Sequence, residues 1–290
     1  RHEATEVADT LLPVARCGGP ALPAVHHSLR QLARAVSTRF SRAALPRHQT
    51  LSAAVEWSYD LCSTAEQRLF PRLSVFAGGF TLEAAEAVCS QGMKRSDILD
   101  MLGRLVDKSL VIVEEVAKIN ETRYRLLETI RQYALEKLIE RDEASAIRDQ
   151  HLEYFLDMAE ESEPHIFGHE SSIWINRLDK ELDNIRAAME WSTNSGKAVA
   201  ALRMAGSLVY FWFYWFAHGN LLSEWQHRIL LALSRPEGRE RTLARAKALN
   251  ALGFMNWADT YPTDRHPELE EALSIGRALG DQWNTAAALL

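Results

Sequence analysis

The sequence has little of what disulfide-bonded or zinc-binding proteins need. Its three cysteines, Cys17, Cys62 and Cys89, are far apart and odd in number, so they form neither a CxxC zinc pattern nor a disulfide framework. This usage is typical of a reducing compartment, and we expect a cytoplasmic protein. The chain begins at Arg1 without a signal segment and stops in an apolar stretch, so we expect both ends to be cuts in a longer chain.

An apolar run long enough to cross a membrane is also missing. The best candidate, residues 204–217, has fourteen residues without a charge, whereas a spanning helix needs about 20. Seven consecutive aromatic residues, 210–216, would cover every side of a helix. We therefore expect this segment to be buried among other helices, with a ligand or partner pocket as the alternative and no membrane partner.

The sequence lacks an excess of positive charge and a recognisable set of catalytic residues. A net charge of -6 and a pI near 6.0 argue against a general nucleic-acid binder, although a local basic patch remains possible. No Ser/His/Asp or Cys/His arrangement is apparent from the spacing. His165 and His169 lie four residues apart, but Pro164 and Gly168 predict a loop. We predict no enzyme activity and no metal site.

Residues 46–140 carry closely spaced signals for short helices. Thr50 is a candidate N-cap, and Ser63 with Glu66 has the spacing of a capping box. Residues 78–79 are both glycine and predict a break, after which Thr81 is placed to cap a third helix. These signals predict three helices in about forty residues.

A helix, a hairpin and a further helix are predicted next. The fourth helix covers residues 94–106, the strands cover 110–113 and 124–127, and Thr129 is placed to cap the last helix. This order of elements is that of a winged helix. Its predicted core includes four aromatic residues: Trp57, Tyr59, Phe76 and Phe80.

From residue 143 onward the pattern is helical only, and residues 241–257 and 269–279 suggest an antiparallel pair. The predicted fold class is therefore mainly α, a winged helix with a small β-hairpin followed by an α-helical solenoid. We divide the chain into four parts: residues 1–45, 46–140 (the winged helix), 141–235 (a helical linker and solenoid start) and 236–290 (truncated repeats).

Long stretches of the chain resemble a known family. LPRHQTLSAAVEWSYDLCSTAEQRLFPRLSVFAGGFTLEAAEAVC and RYRLLETIRQYALEKL resemble the winged helix of large ATP-binding bacterial transcriptional regulators of the AfsR and LuxR-like type. LDKELDNIRAAMEWSTNSG, RAKALNALGFMNWA and EEALSIGRALGDQW resemble the tetratricopeptide-like region that follows it. In that family an ATPase core precedes the winged helix. The resemblance implies that residues 1–45 are a remnant of the ATPase helical subdomain.

The resemblance also implies ATP or ADP in the full-length parent, although the chain has no GxxxxGK[ST] phosphate loop, so we expect no cofactor within it. Pro20 falls in a segment similar to the family's Gly-x-Pro motif, and His48, in the RHQT segment, is placed either to orient a backbone turn or to contact nucleotide. Both are candidate nucleotide-binding residues. The implied partners are the upstream ATPase domain and a signalling protein or peptide, with DNA reached through the full-length protein.

Whether the winged helix itself binds DNA is a separate question. Residues 42–140 hold 13 Lys and Arg against 14 Asp and Glu, which is unfavourable because phosphate contacts supply much of DNA affinity. Arg123 and Arg125 on the wing are the candidate phosphate or nucleic-acid contacts.

Three hypotheses follow. The first is a non-catalytic regulatory and protein-interaction region of an ATP-switched transcriptional regulator, with the winged helix as an intramolecular arm and the repeats as sensor. The second is a DNA-binding winged-helix transcription factor with a helical sensor domain. The third is a protein–protein scaffold fragment without nucleotide dependence.

Overall fold

The computed structural model describes residues 46–116, 121–217, 222–259 and 266–289. Pro20 and the predicted ATPase remnant lie outside these residues. The chain divides into two units, residues 1–54 and Val55–Leu290. Every contact reported below lies within the second unit.

The first half of the described chain builds a winged helix from short helices and a small sheet. Short 3-10 turns at 73–75 and 95–97 precede β1 and α4. The elements, in chain order, are α1 (Pro46–Asp60), α2 (Thr64–Arg72), β1 (Phe80–Thr81), α3 (Leu82–Cys89), α4 (Ile98–Asp107), β2 (Ile112–Val116), β3 (Glu121–Arg125) and α5 (Glu128–Glu140).

The sheet has three antiparallel strands in the order β1-β3-β2. Ile112 of β2 lies opposite Arg125, and Phe80 of β1 lies opposite Tyr124. The predicted hairpin is therefore confirmed, with the ends of both strands shifted by two or three residues. The sequence did not predict β1, because two residues are too few to show the alternation that marks a strand.

Two of the four predicted N-caps are confirmed. The backbone N–H of Ser63 donates to Glu66 Oε2 at 2.7 Å, and the Glu66 N–H donates to Ser63 Oγ at 3.4 Å, which completes the capping box. Thr81 Oγ1 accepts from the N–H of Ala84 at 3.1 Å.

The caps predicted at Thr50 and Thr129 are wrong. Helix α1 begins four residues before Thr50, at Pro46, whose fixed φ suits the first turn of a helix. Helix α5 begins at Glu128, so Thr129 lies inside its first turn and no side chain caps the helix.

The core of the winged helix contains three of the four predicted aromatic residues. Tyr59, Phe76 and Phe80 are buried, whereas Trp57 is 66% exposed. Val55 and Tyr59 are four residues apart and face inward together, so the position between them projects to the other side of α1. The core prediction for Trp57 is therefore wrong.

The rest of the described chain is helical, as predicted. Each helix packs mainly on helices close to it in sequence, and the antiparallel pair near the end is confirmed as α12 and α13. Together α6–α14 form what we call the helical array: α6 (Ala144–Ser162), α7 (Ser171–Lys180), α8 (Leu182–Asn194), α9 (Ala198–Ser207), α10 (Val209–Ala217), α11 (Ser223–Ser234), α12 (Leu243–Asp259), α13 (Pro267–Leu279) and α14 (Gln282–Ala287).

The aromatic run lies on α10 and is only partly buried. Phe211 and Trp212 are fully buried, but Phe213 is 57% exposed. The prediction that this helix is buried on all sides is therefore wrong. Phe213, on its exposed aromatic face, lines a cavity that is described below. Among the described residues, no helix is both long and apolar enough to span a bilayer.

Candidate regulatory junction and ligand cavity

The winged helix and the helical array meet at a buried ion pair. Arg123 of β3 donates through Nη1 to Oε1 of Glu181, the residue between α7 and α8. Their side chains are only 9% and 5% exposed. Removing one partner would leave the other charge buried and unpaired, a costly state.

Asn184 extends this pair to the loop before β1. Its Nδ2 donates to Glu181 Oε2 at 2.7 Å and to the carbonyl of Gly79 at 2.8 Å. Its Oδ1 accepts from the N–H of Ala77 at 2.9 Å. One fully buried amide therefore satisfies two backbone groups of the winged helix and orients the carboxylate that pairs with Arg123. We call Arg123, Glu181 and Asn184 the junction.

His151 of α6 lies beside the junction as a neutral ring. Its Nε2 is 3.5 Å from Asn184 Oδ1, and its ring packs on Phe76 and Phe155 with centroids 5.4 and 4.6 Å away. Burial lowers the pKa of His151 to about 4, the hydrogen bond to Asn184 opposing and the Arg148 charge reinforcing that shift. The uncharged ring therefore belongs to the core between the two parts.

A second ion pair links the two parts. Arg72 Nε lies 2.8 Å from Glu143 Oε2, and Arg72 Nη1 donates to the carbonyls of Cys89 and Gln91. Helix α3 packs on α6, and one continuous core runs through both parts. The winged helix is thus attached to the array by packing as well as by charge.

The two predicted phosphate contacts have different environments. Arg123 is enclosed in the junction, whereas Arg125 is exposed and pairs with Glu114 across the hairpin. A phosphate contact by Arg125 stays a prediction. His48 lies on α1, where only the backbone is described.

The exposed face of α4, the recognition helix of a winged helix, has mixed charge. Asp97 precedes α4 and Asp100 lies on its solvent side. Arg104 and Lys108 lie 3.9 and 3.3 Å from Glu66, whose side chain is almost fully buried. Part of the positive charge of this face is therefore compensated within the protein.

A cavity of about 300 Å³ opens in the helical array between α9, α10, α12, α13 and α14. Its walls are mainly apolar and aromatic, and its polar residues include two contacting pairs, Glu163 with Lys247 and Asn250 with Asn284. The apolar and aromatic lining residues include Tyr210, Phe213, Phe254, Leu269, Trp283 and Ala287.

Two other kinds of site, a metal site and a nucleophilic cysteine, have little support in the described residues. No group of three or more His, Cys, Asp or Glu side chains there is placed to hold a metal, and His165 instead pairs with Glu170 at 2.8 Å. Burial raises the pKa of the Cys62 thiol to about 11 and raises that of Cys89 further. Neither cysteine is therefore an activated nucleophile.

Sequence reasoning missed Glu181, Asn184 and His151. Glu181 and Asn184 interrupt an apolar helical stripe that includes Leu178, Leu182 and Ile185. A polar residue within a buried stripe needs a partner, and this is the signal that points to a junction. It does not identify the partner.

The chain contains a winged helix-turn-helix domain, which the helical array follows. Residues 62–139 match the winged helix-turn-helix domain. The chain is homologous to a Mycobacterium tuberculosis protein named "Putative HTH-type transcriptional regulator Rv0890c", which is 38% identical over 255 residues, covering 83% of this chain and 27% of that protein. A Mycobacterium bovis protein, Mb0914c, carries the same description and the same figures.

A second relative, Uncharacterized protein Rv0894 of Mycobacterium tuberculosis, is 42% identical over 143 residues, 48% of this chain and 33% of its own length. The chain thus spans between a quarter and a third of the length of the relatives it matches. No solved structure matches it.

Proposed function

We propose that this chain is the non-catalytic regulatory and protein-interaction region of a cytoplasmic, ATP-switched transcriptional regulator. The winged helix acts as an intramolecular arm, and the helical array acts as the sensor or partner-binding surface. The observation that carries the proposal is the buried junction of Arg123, Glu181 and Asn184.

The junction makes a mechanical connection between sensor and arm. A displacement of α8 moves Glu181 and Asn184, and these hold β3 and the loop at 77–79. Because a buried ion pair and a satisfied amide have few alternative arrangements, the array and the winged helix move together. Ligand binding on the array is thereby transmitted to the arm as a shift between two packed states.

The proposal assigns the ATP- or ADP-binding domain to the longer protein. Two facts support this: the resemblance of the winged helix and repeats to the AfsR and LuxR-like regulators, and the 27% coverage of the regulator Rv0890c. The name of that relative also supports a role in transcription.

A test uses the full-length regulator and the release rate of a fluorescent ADP analogue. Arg123→Met, which breaks the junction, is expected to change the rate at least several-fold, because the arm no longer follows the array. Arg125→Met removes the same charge from an exposed position two residues away and is the matched control. Equal rates of ADP-analogue release in the wild-type protein and both variants would reject the proposal that the winged helix acts as an intramolecular arm.

DNA binding by this winged helix is the second candidate function. The match of residues 62–139 to the winged helix-turn-helix domain favours it, whereas the mixed charge of α4 and the enclosure of Arg123 oppose it. Fluorescence anisotropy with a random-sequence DNA duplex at low salt distinguishes DNA binding from the intramolecular arm. Binding that weakens steeply with salt, and that Arg125→Met weakens, would establish this function. We expect no such binding.

A further inference from the structure

We infer that a cleft between the winged helix and the helical array binds a small organic anion, whose carboxylate or phosphate group pairs with Arg148. Such a ligand contacts both parts at once and would be a signal for the sensor role proposed above. Only this regulatory meaning rests on the proposed function. The site itself rests on the geometry of the cleft and on the charges around it.

The cleft lies where the two parts meet and has a volume of about 480 Å³. The winged helix contributes positions 74, 75 and 77 and two residues of α5, Arg131 and Leu135. The array contributes two residues of α6 and four of α8: Arg148, His151, Ala187, Glu190, Trp191 and Asn194. A cleft of this volume accommodates a small molecule with a few polar contacts.

Arg148 has no ion-pair or hydrogen-bond partner in the part of the chain that the structure describes, and its side chain is partly exposed to an occupant of the cleft. Its Cζ lies over the ring of Trp191, 5.1 Å from the centroid. Trp191 is itself held by Asp149, whose Oδ1 accepts from the indole N–H at 2.8 Å. A guanidinium stacked on a ring keeps its in-plane N–H groups free, and these fit a carboxylate or phosphate group.

Arg131 adds a second positive charge on the opposite wall. Its Nη1 donates to the carbonyl of Ser74 at 3.2 Å, and Glu128 holds its Nε and Nη2 at 2.8 and 2.9 Å. Burial lowers the pKa of Arg148, and the charge of Arg131 lowers it further, while Glu190 opposes the shift. The charged form of Arg148 therefore lacks sufficient compensation, which an anion between the two arginines would supply.

The remaining groups of the cleft agree with an anion that carries an apolar part. Glu190 lies 3.8 Å from Arg228 Nη1 and its side chain is 63% exposed, so its charge is shared with another arginine and with solvent. His151 is neutral, as shown above. A cation would meet two arginines, whereas an anion is attracted by both. The apolar part lies against three side chains of the cleft: Val75, Leu135 and Trp191.

Four small probes test the inference on the purified chain by ligand-observed NMR and calorimetry. Phenyl phosphate and benzoate are anions with an aromatic body, benzyl alcohol is a neutral molecule of similar size, and inorganic phosphate lacks the apolar body. We expect both aromatic anions to bind at least tenfold more tightly than benzyl alcohol, a difference of about 1.4 kcal/mol. Inorganic phosphate should bind more weakly than phenyl phosphate.

Two stacked arginines provide a test variant and its matched control. Arg148→Met removes the proposed anion contact and should weaken binding of phenyl phosphate at least tenfold. Arg177→Met removes an arginine that lies over Trp174 at 5.0 Å, outside the cleft, and should leave the affinity unchanged. Arg148→Lys keeps the charge but loses the planar fork, so an intermediate affinity is expected. Glu190→Gln removes the opposing charge and should tighten binding about twofold.

Equal affinities for the aromatic anions and benzyl alcohol, or no binding by any probe, would overturn the anion site. Equal weakening by Arg148→Met and Arg177→Met would overturn the cleft as its place, and phenyl phosphate binding no tighter than inorganic phosphate would overturn the apolar part. The nucleotide-release test reports separately on the arm. Probe binding without an effect of Arg123→Met on that release would reject the proposed function and retain this site.

Discussion

Replacing Arg123 by methionine tests the junction by removing one half of a buried ion pair. Methionine keeps most of the length of the side chain and removes the guanidinium. Glu181 would then be a buried carboxylate whose Oε1 has lost its charged partner, although Asn184 still donates to Oε2. Breaking a buried pair in this way costs about 3–5 kcal/mol. We expect about 3 kcal/mol, because the remaining hydrogen bond reduces the penalty.

The double variant Arg123→Met/Glu181→Leu separates the ion pair from simple loss of packing. Removing both charges leaves no buried ion, so the double variant should be more stable than Arg123→Met alone. Its main loss is the acceptor for Asn184 Nδ2, about 1 kcal/mol. The double-mutant cycle should give a coupling energy of at least about 2 kcal/mol.

Urea unfolding followed by circular dichroism measures these differences. Arg125→Met is the matched control, and loss of its exposed pair with Glu114 should cost less than about 0.5 kcal/mol. The reasoning is refuted if Arg123→Met is no more destabilising than Arg125→Met, or if the Arg123 and Glu181 effects are simply additive.

Three further predictions concern the pH dependence, a helix cap and the core. The pKa of His151 is about 4 in the folded protein and about 6.5 in the unfolded chain, so between these values the unfolded chain binds more protons. The free energy of unfolding should therefore fall by about 2 kcal/mol between pH 7.5 and 5. In urea titrations of His151→Gln, the loss over the same pH range should be smaller by that amount. Ser63→Ala removes the acceptor for the Glu66 N–H and should cost about 1 kcal/mol by the same measurement, so an unchanged midpoint would contradict the capping box. Phe76→Ala should cost about 3–5 kcal/mol, whereas Trp57→Ser should cost less than about 0.5 kcal/mol; the reverse order in thermal melts would contradict the core described above.

The sequence predicted those features whose signals are local. The Ser63–Glu66 capping box and the Thr81 cap each depend on residues three positions apart. Two false caps came from the same reasoning, since a threonine near a helix start carries no information about where the first turn begins. The buried position predicted for Trp57 failed because Val55 and Tyr59 determine the inward face of α1.

The junction could not be predicted, because its partners are far apart in the chain. Arg123 and Glu181 are separated by 58 residues, and Asn184 bonds to backbone groups 105 and 107 residues away. Local patterns identify an arginine on the wing and an asparagine on a helix, but they do not show that both side chains contact Glu181. The phosphate contact of Arg123 stays a prediction, and the structure adds Glu181 as a partner of this side chain.

The cavity was partly foreseen. The aromatic run at 210–216 suggested a pocket as an alternative to burial, and the exposed ring of Phe213 supports that alternative. The contact of Asn250 with Asn284 joins residues that are 34 positions apart, so it was not evident from the sequence.

Native-state hydrogen exchange, measured by mass spectrometry, tests most directly whether the winged helix and the array are one mechanical unit. The account predicts that the slowest amides of α3 and of α6 open with the same free energy, and that Arg123→Met lowers both values together. Opening of α3 at a clearly lower free energy than α6 in the wild-type protein, with α6 unaffected by Arg123→Met, would contradict it.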